Sequence, residues 1–261
     1  MARVRSRFFI VTLSIAVLII SASVTKAQET DASLILSLSF EDGKGKVATD
    51  ISKYGNNGDL KGDPKWVDGK FGKALQLNGS TDWVEVPHAD ILCVDKDVTV
   101  MAWLKADRYE VPAAGYQGIV SKSNDPRSYS LYTMAAGTLH FSTAGVGTVS
   151  VAKVPLKEWV HIAAVVVDGK HRYYFNGKLD SESGSGVKLP GLSDKASVLV
   201  GKTPEGSREF QGIIDEVRIW NKALTIDEIV KQMDKGGKTA PVQPNGRLVS
   251  TWAQIKNILF Q

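Results

Sequence analysis

Short apolar runs with a period of two cover most of the chain from residue 33 to residue 220. In VTVMAWLKA (98–106), the apolar residues at 98, 100, 102 and 104 share one face of an extended strand. Such alternation is typical of antiparallel sheets whose two faces have different surroundings. Clusters of Gly, Asp, Asn and Ser separate the runs, as turns do. The predicted strands are residues 34–40, 73–78, 82–87, 98–106, 118–122, 128–133, 138–143, 148–154, 158–168, 170–183, 196–201 and 210–220.

Turn and capping signals complete the predicted fold. Asp168-Gly169 and Asn176-Gly177 each separate two strand-like runs and suit two-residue hairpin loops, which predicts a three-stranded meander. One helix is predicted after Thr225, because Glu228 three residues later completes a capping box. A single short helix leaves no helical crossovers for a parallel sheet. The sequence therefore predicts an all-β fold, a two-sheet antiparallel jelly-roll sandwich with one short C-terminal helix.

The first 27 residues have the parts of a secretory signal peptide. Three arginines precede an apolar stretch at 8–20, and a polar, small-residue stretch ends at Ala27. The apolar stretch is shorter than the roughly 20 residues of a membrane span, so we predict cleavage after Ala27 rather than an uncleaved anchor. The predicted organisation is a signal peptide (1–27), a sandwich domain (28–237) and a linker with an amphipathic tail (238–261). We therefore expect an exported protein (secreted, periplasmic or cell-surface) without a membrane span after cleavage.

Removal of the leader changes the charge of the protein. Residues 1–27 contain four of the 32 basic residues and no acidic residue, so 28 basic residues remain to balance 28 acidic ones. A neutral domain has no overall attraction for nucleic acid or anionic membranes, and we expect neither as a partner. The single cysteine, Cys93, cannot form an intrachain disulfide, and its apolar neighbours indicate a packed side chain rather than a nucleophile.

The last 24 residues differ from the strands before them. Pro241, Pro244 and Gly246 indicate a linker, and the apolar residues at 248, 252, 255, 258 and 259 can share one face of a helix. This tail either packs back on the sandwich or serves as a docking or cell-surface sorting element. The sequence leaves both interpretations open.

Three segments resemble the LamG-like jelly-roll family of the concanavalin A-like lectin/glucanase superfamily. The first two are SFEDGKGKVATDISKYGNNGDLKG (39–62) and GKFGKALQLNGSTDWVEVP (69–87). The third runs from LKEWVHIAAVVVDGKHRYYFNGKL to GIIDEVRIWNKALTIDEI, with the family's Trp-x-His strand, Asp-Gly hairpin and closing Ile-Asp-Glu-Val-Arg-Ile-Trp strand. The resemblance covers residues 33–236. It implies the fold strongly and the function only weakly, because one fold serves many functions.

The resemblance also implies one structural Ca²⁺ ion, held by carboxylates and carbonyls on loops near a sheet edge. The candidate ligands are Asp50, Asn57, Asp82 and Asp215. Strand alternation independently places Asp215 on the face of Val217 and Ile219, and a buried carboxylate must be paired, hydrogen-bonded or metal-bound. Local backbone hydrogen bonding is the alternative for Asp50 and Asp82. For Asp215, the alternatives are backbone N–H groups or an arginine.

Catalytic signals of a glycosidase are missing from the sequence. Glucanases of the superfamily that the chain resembles carry a Glu-x-Asp-x-x-Glu string, and no such string occurs here. Asp215 and Glu216 are adjacent, so they point to opposite faces of a regular strand and cannot flank one glycosidic bond. The four histidines show no metal-ligand spacing, and there is no nucleophile elbow. We therefore predict that the protein is not an enzyme. A divergent glycoside hydrolase or lyase is the third hypothesis.

Loops near the sheet rims carry the candidate ligand-binding residues, because function concentrates on loops and sugar rings stack on exposed aromatic rings. These residues are Trp66, Tyr109, Tyr116, Asn124 and Arg127. The expected function is a non-catalytic binding module for a polysaccharide or glycoconjugate. The alternative is an adhesion or assembly module that binds an envelope or extracellular protein.

Overall fold

A computed structural model of the chain describes residues 31–109, 115–123, 126–193, 195–206 and 208–236. These residues form two eight-stranded sheets, both antiparallel, and one α-helix. The predicted two-sheet antiparallel jelly-roll sandwich with a short helix is therefore confirmed. The predicted signal peptide and C-terminal tail lie outside the described residues.

The strands are numbered along the chain and grouped here by sheet, in spatial order. Sheet I contains β14 (Lys178–Ser183), β13 (Lys170–Phe175), β12 (Val160–Val167), β7 (Val98–Ala106), β16 (Gln211–Trp220), β5 (Lys73–Asn78) and β4 (Lys65–Asp68), with β1 (Leu34–Leu38) also paired to β16. Sheet II contains β11 (Val146–Lys153), β10 (Thr138–Thr143), β9 (Tyr129–Met134), β8 (Tyr116–Lys122), β15 (Val198–Val200), β6 (Trp83–Val86), β3 (Gly58–Lys61) and β2 (Val47–Ala48).

The main hydrophobic core fills the space between the two sheets. The residues at 98, 100, 102 and 104 of β7 point into it from sheet I, as the alternation predicts. Leu131 of β9 and Phe141 of β10 point into it from sheet II, and both are fully buried. Burial of each such side chain stabilises the fold by about 1.5–3 kcal/mol. Their neighbours in sequence, Tyr132 and His140, point the opposite way and lie on the outer face of sheet II.

Helix α1 (Ile226–Met233) covers the outer face of sheet I. The predicted capping box is confirmed, since Glu228 N donates to Thr225 Oγ1 (3.3 Å) and Thr225 N donates to Glu228 Oε2 (2.8 Å). Ile229 is buried in a second apolar cluster with Met101 of β7 and Trp220 of β16. Sheet I is therefore apolar on both faces here. Within the described residues, no helix has the length and apolar character of a membrane span.

The predicted meander consists of β12, β13 and β14. Its two turns have positive φ at both central residues: 51° and 69° at Asp168 and Gly169, and 48° and 74° at Asn176 and Gly177. This geometry matches the twist of the flanking strands, which is why Asp-Gly and Asn-Gly are found there.

The edges of the two sheets meet where β14 lies beside β11. Asp180 Oδ2 accepts a hydrogen bond from Val151 N (2.8 Å), and Asp180 Oδ1 accepts one from Ala152 N (2.8 Å). Strand β11 is the last strand of sheet II, so these N–H groups have no neighbouring strand on that side. A carboxylate from the other sheet takes the place of the missing strand.

Strands β2, β3 and β4 were not predicted. Residues 47–68 are rich in Gly, Asp, Asn and Lys, which are poor strand formers. Trp66, expected in a loop, lies in β4 at the edge of sheet I, and its Nε1 donates to Gly45 O (3.1 Å). The prediction was wrong because these short strands are defined by pairing with β5 and β6 rather than by their own alternation.

Candidate functional site on the outer face of sheet II

The aromatic cluster, defined as Tyr116, Tyr132 and His140, lies on the outer face of sheet II. Tyr132 of β9 and His140 of β10 face each other across the strand pair, and their rings stack with centroids 4.7 Å apart. The ring of Tyr116 on β8 meets that of Tyr132 edge-on at 5.2 Å. Tyr132 is buried, whereas Tyr116 and His140 are half-buried, so these two rings bring the cluster to the surface.

The strap, defined as residues 201–206 and 208–210, connects β15 of sheet II with β16 of sheet I. Its backbone lies against β8, where Gly118 N donates to Arg208 O (2.8 Å) and Ser121 Oγ donates to Lys202 O (2.8 Å). A Cβ on Gly118 would lie 2.3 Å from the carbonyl carbon of Lys202, so only glycine permits this approach. The strap therefore crosses the outer face of sheet II in contact with its surface.

Three charged side chains lie beside the aromatic cluster. Glu205 Oε1 forms an ion pair with Arg127 Nη2 and lies 3.6 Å from Arg208 Nη1. The Arg208 guanidinium is 5.0 Å from the centre of the Tyr116 ring, within cation–π distance. Burial alone would raise the pKa of Glu205, but backbone hydrogen bonding and Arg127 bring it below its ordinary value. Glu205 is therefore ionised at neutral pH and shared by two arginines.

The two central rings are uncharged at neutral pH. Burial, assisted by the positive charge of Arg127, lowers the pKa of His140 to about 4. Burial likewise raises the pKa of Tyr132 above its ordinary value. The cluster thus offers neutral aromatic surfaces, and the ionic groups beside it come from Arg127, Glu205 and Arg208.

Four polar atoms in this region have no hydrogen-bond partner within the described residues: Arg127 Nε, Ser130 Oγ, His140 Nδ1 and Glu205 Oε2. Folded proteins pair nearly all buried polar groups, so these four buried atoms mark a place for bridging water. The side chains that carry three of them are partly exposed: Arg127 to 26%, Glu205 to 19%, and His140 half-buried. Their exposed parts, beside aromatic rings, suit a hydroxyl-rich ligand with an apolar face.

A second aromatic side chain, Trp83, lies on β6, two strands away from β8. Lys202 Nζ lies 4.1 Å from the centre of its ring and pairs with Glu209 Oε1 at 3.0 Å. The strap therefore places a cation on each of two aromatic rings, Lys202 on Trp83 and Arg208 on Tyr116.

The structure brings two of the five predicted ligand-binding residues, Tyr116 and Arg127, into this region. Tyr109 lies close to it, since its carbonyl oxygen accepts a hydrogen bond from a threonine of β9 (3.3 Å). Trp66 lies elsewhere, on β4 at the edge of sheet I. Asn124 lies outside the described residues. The role of these residues in ligand binding stays a prediction.

Sequence reasoning missed Tyr132, His140, Glu205 and Arg208. A signal for His140 existed, because both of its neighbours in TLHFST (138–143) are apolar and alternation turns it away from the core. No comparable signal marks Glu205 and Arg208, which lie in the strap, where the sequence has no periodicity.

Asp50, a predicted calcium ligand, is buried among hydrogen-bond donors. Its Oδ1 accepts from the N–H groups of Ser37 (2.8 Å) and Ser52 (2.9 Å), and its Oδ2 from Ser52 Oγ (2.7 Å) and Asn56 N (2.7 Å). Asn57, a second predicted ligand, accepts from Asp50 N through its Oδ1 (2.9 Å). These bonds use the acceptor positions of the Asp50 carboxylate, so it organises the surrounding turn.

The other two predicted ligands lie in separate surroundings. Asp82 Oδ1 accepts from Asp63 N (2.9 Å) and its Oδ2 from Asn78 N (3.2 Å), while Asp215 Oδ2 accepts from Phe71 N (3.1 Å). Across the described ranges, no group of three or more His, Cys, Asp and Glu side chains is arranged to hold a metal ion. The four residues do not form such a group among the described residues, and calcium binding stays a prediction.

A β-bulge reverses the predicted orientation of Asp215. The pairing of β16 with β7 shifts register between Asp215 and Arg218, and Glu216 has a φ of 52°. Val217 faces the main core, whereas Asp215 lies outside it. The prediction that Asp215 shares a face with Val217 was wrong, because the bulge inserts one residue into the alternation.

The carboxyl group of Asp215 is buried nonetheless, and its Oδ1 has no hydrogen-bond partner in the part of the chain described. Burial raises the pKa of Asp215 from 3.8 to about 8, although the N–H of Phe71 partly opposes this. Asp215 is therefore mostly protonated in the folded protein at neutral pH.

The fold and the polar, aromatic face of sheet II define a lectin-like jelly-roll domain. The chain belongs to the concanavalin A-like lectin/glucanases superfamily, whose laminin G-type family model matches residues 78–230. Adhesion G-protein coupled receptor V1 from Danio rerio is 26% identical over 159 residues. That match covers 54% of this chain but only 2% of the receptor, so the chain corresponds to a small part of this relative.

Two solved structures illustrate the likeness of fold. Domain 4 of AbnA, a GH43 extracellular arabinanase from Geobacillus stearothermophilus in complex with arabinotriose, has a TM-score of 0.61 and 22% identity, covering 77% of this chain and 98% of that one. Botulinum neurotoxin type C, whose entry into cells depends on two ganglioside molecules, has a TM-score of 0.60 and 17% identity, covering 76% of this chain and 50% of that one. At these identities the likeness establishes the fold alone.

We expect Gly118→Ala to lower the free energy of unfolding by about 1–3 kcal/mol, because the new methyl group must displace the strap. Chemical denaturation measures this difference. Gly206→Ala is the matched control, since a Cβ there meets nothing within 4 Å. Equal stability of the two variants would show that the strap does not depend on close contact with β8.

We expect Asp215→Asn to increase stability progressively as the pH rises from 4 to 8. The unfolded chain ionises Asp215 near pH 4, whereas the folded chain keeps it protonated to about pH 8, so rising pH stabilises the unfolded state of the natural protein. Asparagine does not ionise, and the gain should be at most about 1.4 kcal/mol per pH unit.

Urea denaturation of both proteins at pH 4, 6 and 8 tests this expectation. Other titrating groups, such as the buried histidines, are common to both proteins and cancel in the difference. A stability difference that stays constant over this range would contradict the raised pKa of Asp215.

Proposed function

We propose that this chain is a non-catalytic binding module that recognises carbohydrate through the outer face of sheet II. The observation that carries the proposal is the aromatic cluster with the partly exposed side chains of Arg127, Glu205 and Arg208 beside it. Sugars present both hydroxyl groups and apolar ring faces, so they match both halves of this surface.

Each part of the site has a distinct task in this proposal. The exposed part of the Tyr116 ring contacts an apolar sugar face, beside the Arg208 guanidinium that lies over the ring. The side chains of Arg127 and Glu205, which are 26% and 19% exposed, form hydrogen bonds with sugar hydroxyl groups at the surface. The neutral ring of His140 serves as donor or acceptor according to its tautomer.

Glu205 is not suited to glycoside hydrolysis. Glycoside hydrolysis uses two carboxyl groups, one of which is protonated at the start of the reaction. Glu205 has a lowered pKa and is paired with two arginines, so it is a poor proton donor and a poor nucleophile. Solved relatives support a carbohydrate ligand, since one was determined with arabinotriose and another depends on gangliosides.

Adhesion to a protein partner is the second candidate function. On β11, beside His140, Val149 is 46% exposed and Val151 is 76% exposed. Exposed apolar side chains grouped at one border are typical of protein-binding surfaces. The similarity to part of an adhesion receptor agrees with this reading. Export, which either function requires, rests on the predicted signal peptide.

A glycan array probed with the purified protein tests the proposal, once with calcium and once with a chelator. We expect binding to a related group of glycans, and Tyr116→Ala should weaken it at least about tenfold through loss of a central aromatic contact. Glycan binding that requires calcium would indicate a metal ion at the site. Glycan binding unchanged by the chelator would indicate that no metal ion takes part.

Tyr54→Ala is the matched control for this experiment. Tyr54 is also half-buried and has a cation, Lys53 Nζ, 5.1 Å from its ring centre, but it lies outside the aromatic cluster. Equal losses in both variants would place the site elsewhere. No glycan signal from folded protein would overturn the carbohydrate proposal and favour the search for a protein partner.

A further inference from the structure

The charges around Glu205 do not balance within the described residues. Arg127 and Arg208 both approach the same oxygen, Glu205 Oε1, so two guanidinium groups share one carboxylate. His140 adds no charge at neutral pH, because its pKa is lowered to about 4. Lys202 does not alter the balance, since it pairs with Glu209. Counting only the residues that the structure describes, the group beside the aromatic cluster has one more positive charge than negative charges.

The ion pair of Arg127 and Glu205 stays partly open to solvent, since the two side chains are 26% and 19% exposed. Their buried atoms Arg127 Nε and Glu205 Oε2 have no partner among the residues described. A different arrangement exists on sheet I, where Lys170 and Arg172 bind separate oxygens of Glu182 (2.6 and 2.5 Å). That carboxylate uses both of its oxygens. The two sites thus have the same charges but different unsatisfied groups.

Solvent can reach the two arginines on sheet II. The side chains of Arg127 and Arg208 are 26% and 22% exposed, and Arg208 lies over the ring of Tyr116. A guanidinium group binds a carboxylate through two parallel hydrogen bonds, in the plane of its fork. A second carboxylate could therefore join this group at the surface, next to the ring on which a sugar would stack.

We propose that the ligand is an acidic glycan, in which the carboxylate of a uronic or similar sugar acid pairs with Arg208 and Arg127 while its ring contacts Tyr116. This inference rests on the proposed carbohydrate-binding function and adds the chemical class of the sugar. The ligand carboxylate supplies a counter-charge, and neighbouring hydroxyl groups of the sugar contact the exposed parts of Glu205 and His140.

The test compares acidic polysaccharides with their carboxyl-reduced forms, which keep the sugar backbone but lose the charge. The probes are polygalacturonate, alginate and hyaluronan, and binding to the purified protein is measured by calorimetry at low and moderate salt. We expect at least one acid form to bind about tenfold or more tightly than its reduced form, with affinity falling as salt rises.

Arg208→Gln should lower affinity for the acid form about tenfold and affinity for the reduced form by a clearly smaller factor. Arg172→Gln is the matched control, because that arginine sits in the equivalent charge arrangement on sheet I. Arg208→Lys should give an intermediate loss, since it keeps the charge without the fork. The comparison of acid and reduced forms uses the natural protein, so it stands even if a variant fails to fold.

Three outcomes would overturn the inference. Equal binding of acid and reduced forms would reject the acidic ligand while leaving carbohydrate binding in place. Equal losses in Arg208→Gln and Arg172→Gln would reveal non-specific attraction by positive charge. Binding to none of the probes, together with a blank glycan array, would reject the proposed function and this inference with it.

Discussion

Backbone pairing of β16 is the constraint on which the site depends. This strand hydrogen-bonds with β7 along one edge and with β5 and β1 along the other, which places it inside sheet I. The strand before it, β15, belongs to sheet II. The chain must therefore change sheets within the strap, and the contact at Gly118 determines where it crosses. The arginine and glutamate of the strap reach the aromatic cluster as a consequence.

Both outer faces contain buried polar groups without partners in the described chain, but in different ionisation states. On sheet I, burial raises the pKa of Asp215 to about 8 and lowers that of His161 to about 3, so both are mostly neutral at pH 7. On sheet II, the unpaired atoms include those of two ionised residues, Arg127 and Glu205, which are partly exposed. On sheet I the unpaired groups lower the stability of the fold, whereas on sheet II they adjoin the surface that we propose as the ligand site.

Local alternation accounts for most of what could be predicted from the sequence. Strands β5, β7 and β10 have the predicted bounds, because burial of every second residue leaves a pattern within the strand itself. Alternation failed at Asp215, since the bulge arises from pairing with β7. It also failed for β2, β3 and β4, which have only two to four residues and are too short to show alternation. Tyr116 and Arg127 were predicted from their loops, but Glu205 and Arg208 reach the site only through the long-range contact at Gly118.

The carboxylate of Asp180 affects how the edge of sheet II can associate with other molecules. Strand β11 carries exposed valines and ends sheet II, and an edge of that kind is a template on which a strand from another molecule can add. The N–H groups of Val151 and Ala152 already donate to Asp180, so they are not available as donors to an added strand. The border of β11 thus exposes apolar side chains while two of its backbone donors are already used.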